Sequence, residues 1–226
     1  MVFYGDCAIL FYCTQKRENK EDKEMRHFPQ ARRTGHMSGE VKEQHLQGVK
    51  NRITDQLAIS KKAMLLLNVN SEFGGSVPGA IGFYDWVRSN KIPLVTVAEG
   101  EVASSALYIF LAAQSACRFI TENCQIFLHR HEWSGGGASL TIAELRAEVE
   151  SMEFQENRGI RIICDNTGLT RNKVLRIMNR PTYLSPEKAV QLGFASDLRR
   201  NIPSAMMGKV VEYRPRVVAA QARRRS

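Results

Sequence analysis

The 226-residue chain contains no apolar run approaching the ~20 residues that span a bilayer, so no membrane-crossing helix is expected and a membrane partner is excluded from this reading. It has no phosphate-binding glycine-rich loop ending in lysine, so nothing in it points to nucleotide hydrolysis of its own. The five cysteines (Cys7, Cys13, Cys117, Cys124 and Cys164) are an odd number and lack metal-ligand spacing. That count argues against a disulfide scaffold and suits a reducing compartment. No His/Cys/Asp cluster has zinc spacing, so no metal is expected. Aromatic residues make up only 8% of the chain, and none interleave with the terminal Arg223-Arg224-Arg225. A stacking platform for bases is therefore lacking, and the net charge of +9 reads as solvated basic arms rather than as a nucleic-acid surface. The apolar opening, Val2 to Cys13, has no basic region before it and no small-residue cleavage site after it, and Asp6 interrupts it. It is not read as a secretory signal; a start at Met25 or Met37 is an alternative.

An apolar content of 43% is enough for a real core, and the length suits one domain with tails. Residues 1–36 read as a basic, mobile N-terminal arm, 37–199 as the domain and 200–226 as a basic C-terminal tail. Val41, His45, Leu46, Val49, Ile53 and Leu57 recur at helical spacing. Ala63–Val69 reads as a buried strand, Pro78–Ser89 as a helix, Pro93–Ala98 as a strand, Ser104–Ser115 as a helix and Cys124–Leu128 as a strand. Such alternation predicts an α/β fold with parallel strands. After the Gly135-Gly136-Gly137 loop, Thr141 with Glu144 forms a capping box that opens a long helix reaching Asn166. Its apolar residues exceed what one flank needs, which fits either a core helix or a contact with another subunit. A short helix over Thr170–Asn179 follows, then one over Pro186–Leu192 that Ser185 caps and Gly193 ends. Val210–Tyr213 reads as a short strand in the tail.

The chemistry concentrates at Glu99–Leu107, where Ser104 sits among small residues as a strand gives way to a helix. Small neighbours let a substrate backbone approach, and free N–H groups at the turn can face a developing oxyanion. Ile126-Phe127-Leu128 ends at His129, a candidate base at the end of another strand. Ligands of parallel α/β layers sit beyond the carboxyl ends of the strands, and the Gly74-Gly75 turn also follows such an end. Gly75 is a natural oxyanion donor because no side chain shields its N–H; the N–H of Ser105 is the second candidate. His131 is a surface residue or a second base, and His27, His36 and His45 read as solvated.

From Gly39 to Leu198 the chain resembles the proteolytic subunit of the Clp ATP-dependent protease, in the wider crotonase-like superfamily. The resemblance rests on Gly39-Glu40-Val41, Gly74-Gly75-Ser76-Val77, Tyr84-Asp85, Gly100 to Ser104, and Ile126-Phe127-Leu128-His129. It continues through Thr167-Gly168 and the stretch Tyr183 to Val190 with Gly193. It implies repeated β-β-α units with parallel strands and a long protruding handle helix. It also implies a cytoplasmic serine endopeptidase without cofactor, with Ser104 as nucleophile, His129 as general base, and Gly75 and Ser105 as oxyanion donors. Seven-subunit rings stacked as a tetradecamer, of this chain or with related Clp subunits, follow from the same resemblance. So do the handle helix as the contact between rings and a ring ATPase that unfolds and feeds protein substrates.

The family's triad aspartate lies two residues before the aromatic of its aromatic-Leu-Ser motif, and here that position is Pro181. Asn179, Asp165 and Asp197 are near in sequence, with Asn179 the leading candidate for the third member. The family's Ser-Pro-Gly-Gly is Ser71-Glu72-Phe73-Gly74-Gly75 here, one residue longer and without the proline. Its N-terminal segment does not match the family's axial-pore loops. Two alternatives accompany the peptidase: a catalytically degraded structural subunit of a mixed ring, and an acyl-CoA hydratase or hydrolase on the crotonase fold.

Overall fold

The computed structural model describes residues 32–59, 64–132 and 139–203. The Gly135–Gly137 loop, the Val210–Tyr213 strand, Cys7, Cys13, His27 and the basic run Arg223–Arg225 lie outside these residues. Seven strands form one sheet: β1 (Arg32–Ser38), β2 (Leu65–Ser71), β3 (Leu94–Ala103), β4 (Arg118–Ile120), β5 (Gln125–Leu128), β6 (Thr182–Leu184) and β7 (Asp197–Leu198). Among the described residues six α-helices accompany them: α1 (Glu43–Ile59), α2 (Val77–Ser89), α3 (Ala106–Phe110), α4 (Ile142–Thr167), α5 (Arg171–Met178) and α6 (Pro186–Gln191). All strand pairs are parallel except β5 with β6. The parallel α/β architecture expected from the alternation is the one observed, and it agrees with a crotonase-like fold.

Strand β3 is the hub. One edge pairs with β2; on the other, Thr96–Ala98 pair with β4 and Glu101–Ala103 pair with β5. Ten residues long, it runs through Glu99-Gly100-Glu101 instead of stopping at Ala98. Its first half is fully buried, as expected for a strand covered on both faces. Its neighbour β2 carries the same signature in Leu65-Leu66-Leu67 and Val69.

Strand β1 begins at Arg32 and pairs with β2 along Arg32–Ser38, so it straddles the expected boundary between arm and domain. The polar Arg-Arg-Thr-Gly-His sequence carries no apolar alternation, and an edge strand can satisfy its ladder without one. The three-residue β4 and β6 were likewise unsignalled, because three residues are too few to show a period. The helix expected over Ser104–Ser115 is only Ala106–Phe110; the chain then turns into a 3₁₀ segment at Ser115–Cys117.

The long helix α4 has the capping expected of it. Thr141 and Glu144 form a reciprocal capping box, and Gly168 ends the helix at φ 74°. Its N-terminal half is exposed and its last turns enter the core through Ile160, Ile162 and Ile163. Gly159 is where it meets α3, because a Cβ there would fall on the ring and hydroxyl of buried Tyr108. Tyr84 and Asp85 fasten α2 to the same helix: Asn166 Nδ2 donates to Tyr84 Oη at 2.9 Å, and Arg158 pairs with Asp85 at 3.5 Å.

Arg118 of β4 is the largest side chain with no solvent exposure. Its Nη2 donates to the Asn166 carbonyl at 2.7 Å and reaches the Gly193 carbonyl at 3.4 Å. These carbonyls lie at the C-terminal ends of α4 and α6, where helix dipoles place partial negative charge. Burial, with the like charge of Arg88, pulls the guanidinium down to about 10, so it remains a cation at neutral pH. A buried cation is costly without acceptors; two helix ends supply them to Nη2, while Nε and Nη1 have no partner among the described residues. Replacing Arg118 removes the donor to both helix ends and leaves a cavity. Arg118→Ala is expected to cost about 3 kcal/mol, read as a lower urea midpoint for unfolding with an unchanged denaturant slope.

Candidate active site

The register of β3 on β5 brings the first candidates together. Ala103 pairs with Phe127, so Ser104 and His129 leave adjacent parallel strands at the same sheet end. Ser104 has φ +52°, a left-handed conformation uncommon for a residue with a side chain. The surroundings hold it there: its N–H donates to the Phe127 carbonyl and its own carbonyl accepts from Leu107 N–H, both at 3.1 Å. The serine is thus pinned between β5 and the first turn of α3, partly exposed between buried Ala103 and buried Ser105.

The Gly74-Gly75 turn faces this serine, and both glycines are required by close approach. A Cβ on Gly74 (φ +62°) would lie 2.6 Å from the Cβ of Ser104. A Cβ on Gly75 (φ +136°) would lie 2.6 Å from the Val41 carbonyl oxygen. Val41 clasps the turn from outside, donating to the Gly74 carbonyl at 2.6 Å and accepting from Ser76 N–H at 2.9 Å. Gly39-Glu40-Val41 therefore serves to shape the glycine turn. The N–H groups of Gly75 and Ser105 donate to no partner among the described residues.

A cleft of about 480 Å³ lies above the sheet end. Ser104, Gly75, Phe73, His129, His131 and Glu132 line it from the sheet side, and Glu148, Met152 and Gln155 of α4 line it from the other. Phe73 of the longer turn is 70% exposed at its wall. Beneath, a space of about 10 Å³, wide enough for roughly one water, also touches Ser104, His129 and His131.

The His129 ring ends an aromatic stack. Tyr183 of β6 lies 4.3 Å from Phe127, and Phe127 lies 5.2 Å from His129, with interplanar angles near 20° (22° and 20°). The aromatic of the Tyr183-Leu184-Ser185 motif thus sets the plane of the imidazole through Phe127. Nδ1 of that ring is buried and has no hydrogen-bond partner among the described residues. Asn179 is elsewhere: its Oδ1 accepts from Arg130 Nη1 at 2.8 Å. Asp165 is exposed on α4, and Asp197 Oδ1 is occupied by Leu198 N–H and Asn201 Nδ2, each at 2.7 Å. The carboxylate nearest Nδ1 is Glu132, its Oε1 at 3.7 Å. Sequence reasoning missed it, since a residue three positions away in an irregular segment carries no periodic signal.

Reasoning from sequence also missed Glu156 on α4. Arg130 grips it with two 2.6 Å hydrogen bonds, and the His131 N–H reaches it at 3.3 Å. This bidentate pair ties the segment after β5 to the long helix. Burial pushes the Glu156 carboxyl up, but the Arg130 and His131 hydrogen bonds outweigh it and hold the group below the usual carboxylate range. His131 is half-buried, and burial lowers its imidazole from the ordinary value despite the nearby Glu156 carboxylate. No cluster of three or more His, Cys, Asp or Glu side chains suited to a metal occurs among the described residues.

A family model described as Clp protease matches residues 20–201. The chain is similar to the ATP-dependent Clp protease proteolytic subunit 2 of Treponema pallidum (strain Nichols), at 29% identity over 81% of this chain and 92% of the relative. The proteolytic subunit 2 of Treponema denticola is 26% identical over 83% of this chain and 91% of its own length. Proteolytic subunit 1 of Streptomyces avermitilis is 27% identical, covering 77% of this chain and 75% of the relative.

Two outcomes follow from this geometry. In Gly74→Ala the new Cβ meets the Ser104 side chain at a left-handed position, so a stability loss of about 1–3 kcal/mol is expected in urea unfolding. Acid is expected to weaken the α4 attachment. A depressed carboxyl stabilises the fold above the ordinary carboxylate range, and that contribution is lost as pH falls through its lowered value. A lowered imidazole acts in the same direction, since its protonation below about pH 6.5 opposes the fold. Between about pH 5 and pH 2, where this carboxyl takes up its proton, thermal melting should fall more steeply in the wild type than in Glu156→Gln, which starts lower and has no carboxylate there to protonate.

Proposed function

The chain belongs to the Clp protease family, and from that membership we propose that it is the serine-type proteolytic subunit of a ring-shaped, ATP-dependent protease. The observation that carries this reading is Ser104 in a left-handed conformation, sharing one cleft with His129 and Gly75. Ser104 Oγ attacks the scissile carbonyl while His129 accepts its proton. The N–H groups of Gly75 and Ser105 hold the oxyanion, and His129 returns the proton to the leaving amine. Water then hydrolyses the acyl-enzyme by the same route, and no cofactor enters.

The assembly is proposed on the same membership together with α4. Ile142, Leu145 and Val149 stay exposed on one face of its outer half, at 71, 42 and 54%. An apolar stripe of that length on a protruding helix suits a contact between stacked heptameric rings of this chain or of related Clp subunits. A separate ring ATPase would deliver unfolded protein, the substrate class of this reading. No helix among the described residues is long and apolar enough to cross a membrane, and Cys117, Cys124 and Cys164 are free thiols. A cytoplasmic location is part of this proposal through the family membership.

Two observations favour a second reading. Pro181 occupies the family's aspartate position, and the buried Nδ1 of His129 has no hydrogen-bond partner among the described residues. A catalytically degraded subunit, contributing structure to a mixed ring, would look the same at these two points. Labelling the purified full-length chain with a fluorophosphonate separates the two. The peptidase reading expects covalent label that disappears in Ser104→Ala. An assembled ring that takes no label sinks it in favour of the structural subunit.

A further inference from the structure

We propose that Glu132 replaces the missing triad carboxylate by accepting a hydrogen bond from His129 Nδ1, so that this chain orients its base from the segment after β5 and not from the one before β6. The inference rests on the peptidase reading only for its catalytic consequence; the pairing itself stands on geometry. The Nδ1 of His129 is buried and unpartnered among the described residues, a position that calls for a hydrogen-bond partner, and when protonated it would donate to a carboxylate. Glu132 Oε1 lies 3.7 Å away. The Glu132 side chain is 80% exposed and bound to no other group among the described residues, so side-chain rotation can close the remaining gap.

The competitors are engaged or displaced. Pro181 has no acceptor side chain to offer, Asn179 is held by Arg130, and both Glu156 oxygens are taken up by Arg130 and the His131 N–H. The same Arg130–Glu156 grip fixes the backbone between His129 and Glu132, which keeps the carboxylate beside the ring. The aromatic stack with Phe127 sets the ring plane; the carboxylate supplies what stacking cannot, a choice of tautomer and a counter-charge. With Nδ1 protonated toward Glu132, the lone pair of Nε2 is left for the Ser104 proton. Glu132 touches no substrate in this role and is a positioning residue.

Two measurements on the full-length chain test this. The tautomer of His129 is read by ¹⁵N solid-state NMR of sedimented, ¹⁵N-histidine-labelled Ser104→Ala protein, with His129→Gln to assign the signal. One tautomer, protonated at Nδ1, is expected, and Glu132→Ala in that background should give a mixture. The second measurement is the rate of fluorophosphonate labelling at Ser104. It should fall on the order of 10²-fold in Glu132→Ala, less than the ~10⁴ of a buried triad carboxylate because this partner is solvated. Glu132→Gln, which keeps an acceptor and loses the charge, should retain the tautomer and label at an intermediate rate. Asn179→Ala should label within twofold of wild type. An unchanged tautomer in Glu132→Ala overturns the pairing, and an unchanged labelling rate overturns the positioning role. A wild type that takes no label, yet shows the tautomer shift, leaves the pairing standing and removes the peptidase reading instead.

Discussion

A Cβ added to Gly74 would come 2.6 Å from the Cβ of Ser104, and the geometry of the site depends on that approach. Such proximity is available only to a residue without a side chain, and only while the turn after β2 stays folded over the end of β3. Val41 keeps it folded with two backbone hydrogen bonds. Ser104 in turn stays at φ +52° because β5 and the first turn of α3 take up its N–H and carbonyl. Strain at one residue is thus maintained by three separate stretches of chain, the usual condition under which an unfavourable backbone conformation persists in a folded protein.

The parallel sheet supplies those stretches. Because β2, β3 and β5 run the same way, their carboxyl ends lie together and deliver the glycine turn, the serine and the histidine to one rim. The division of β3 between β4 and β5 places the strand carrying His129 beside the last three residues before Ser104. On the other side of the molecule, Arg118 joins the ends of α4 and α6 through their carbonyls and holds β4 in the layer. The strand that leads to His129 and the strand that carries Arg118 therefore share one edge of β3.

Helix α4 connects the rim to the exterior. Its last turns are core, its middle grips Arg130 through Glu156 beside the candidate base, and its first turns present an apolar stripe outward. One element thus bears on the histidine segment and on the surface where another subunit would sit. Two departures from the family pattern bear on this region: Pro181 stands at the aspartate position, and the longer turn after β2 puts Phe73 in the cleft wall, while Ser104, Gly75 and His129 remain.

Local chemistry made much of this legible in the sequence. The apolar runs at Leu65–Leu67 and Leu94–Ala98 marked buried parallel strands, and Thr141 with Glu144 marked the start of α4. Ser104, His129 and Gly75 stood out because each follows a strand end. What escaped were the features without a local signature. A polar edge strand such as β1 needs only ladder hydrogen bonds, and three-residue strands such as β4 and β6 are too short for a period. The partner of Asn179, the grip on Glu156 and the nearness of Glu132 to Nδ1 of His129 are contacts between side chains whose separation in sequence says nothing of their separation in space. The sequence by itself determined which residues could do chemistry and which elements would carry them. Only the tertiary structure decided which acceptor faces the histidine, because that depends on how the segment after β5 packs against α4.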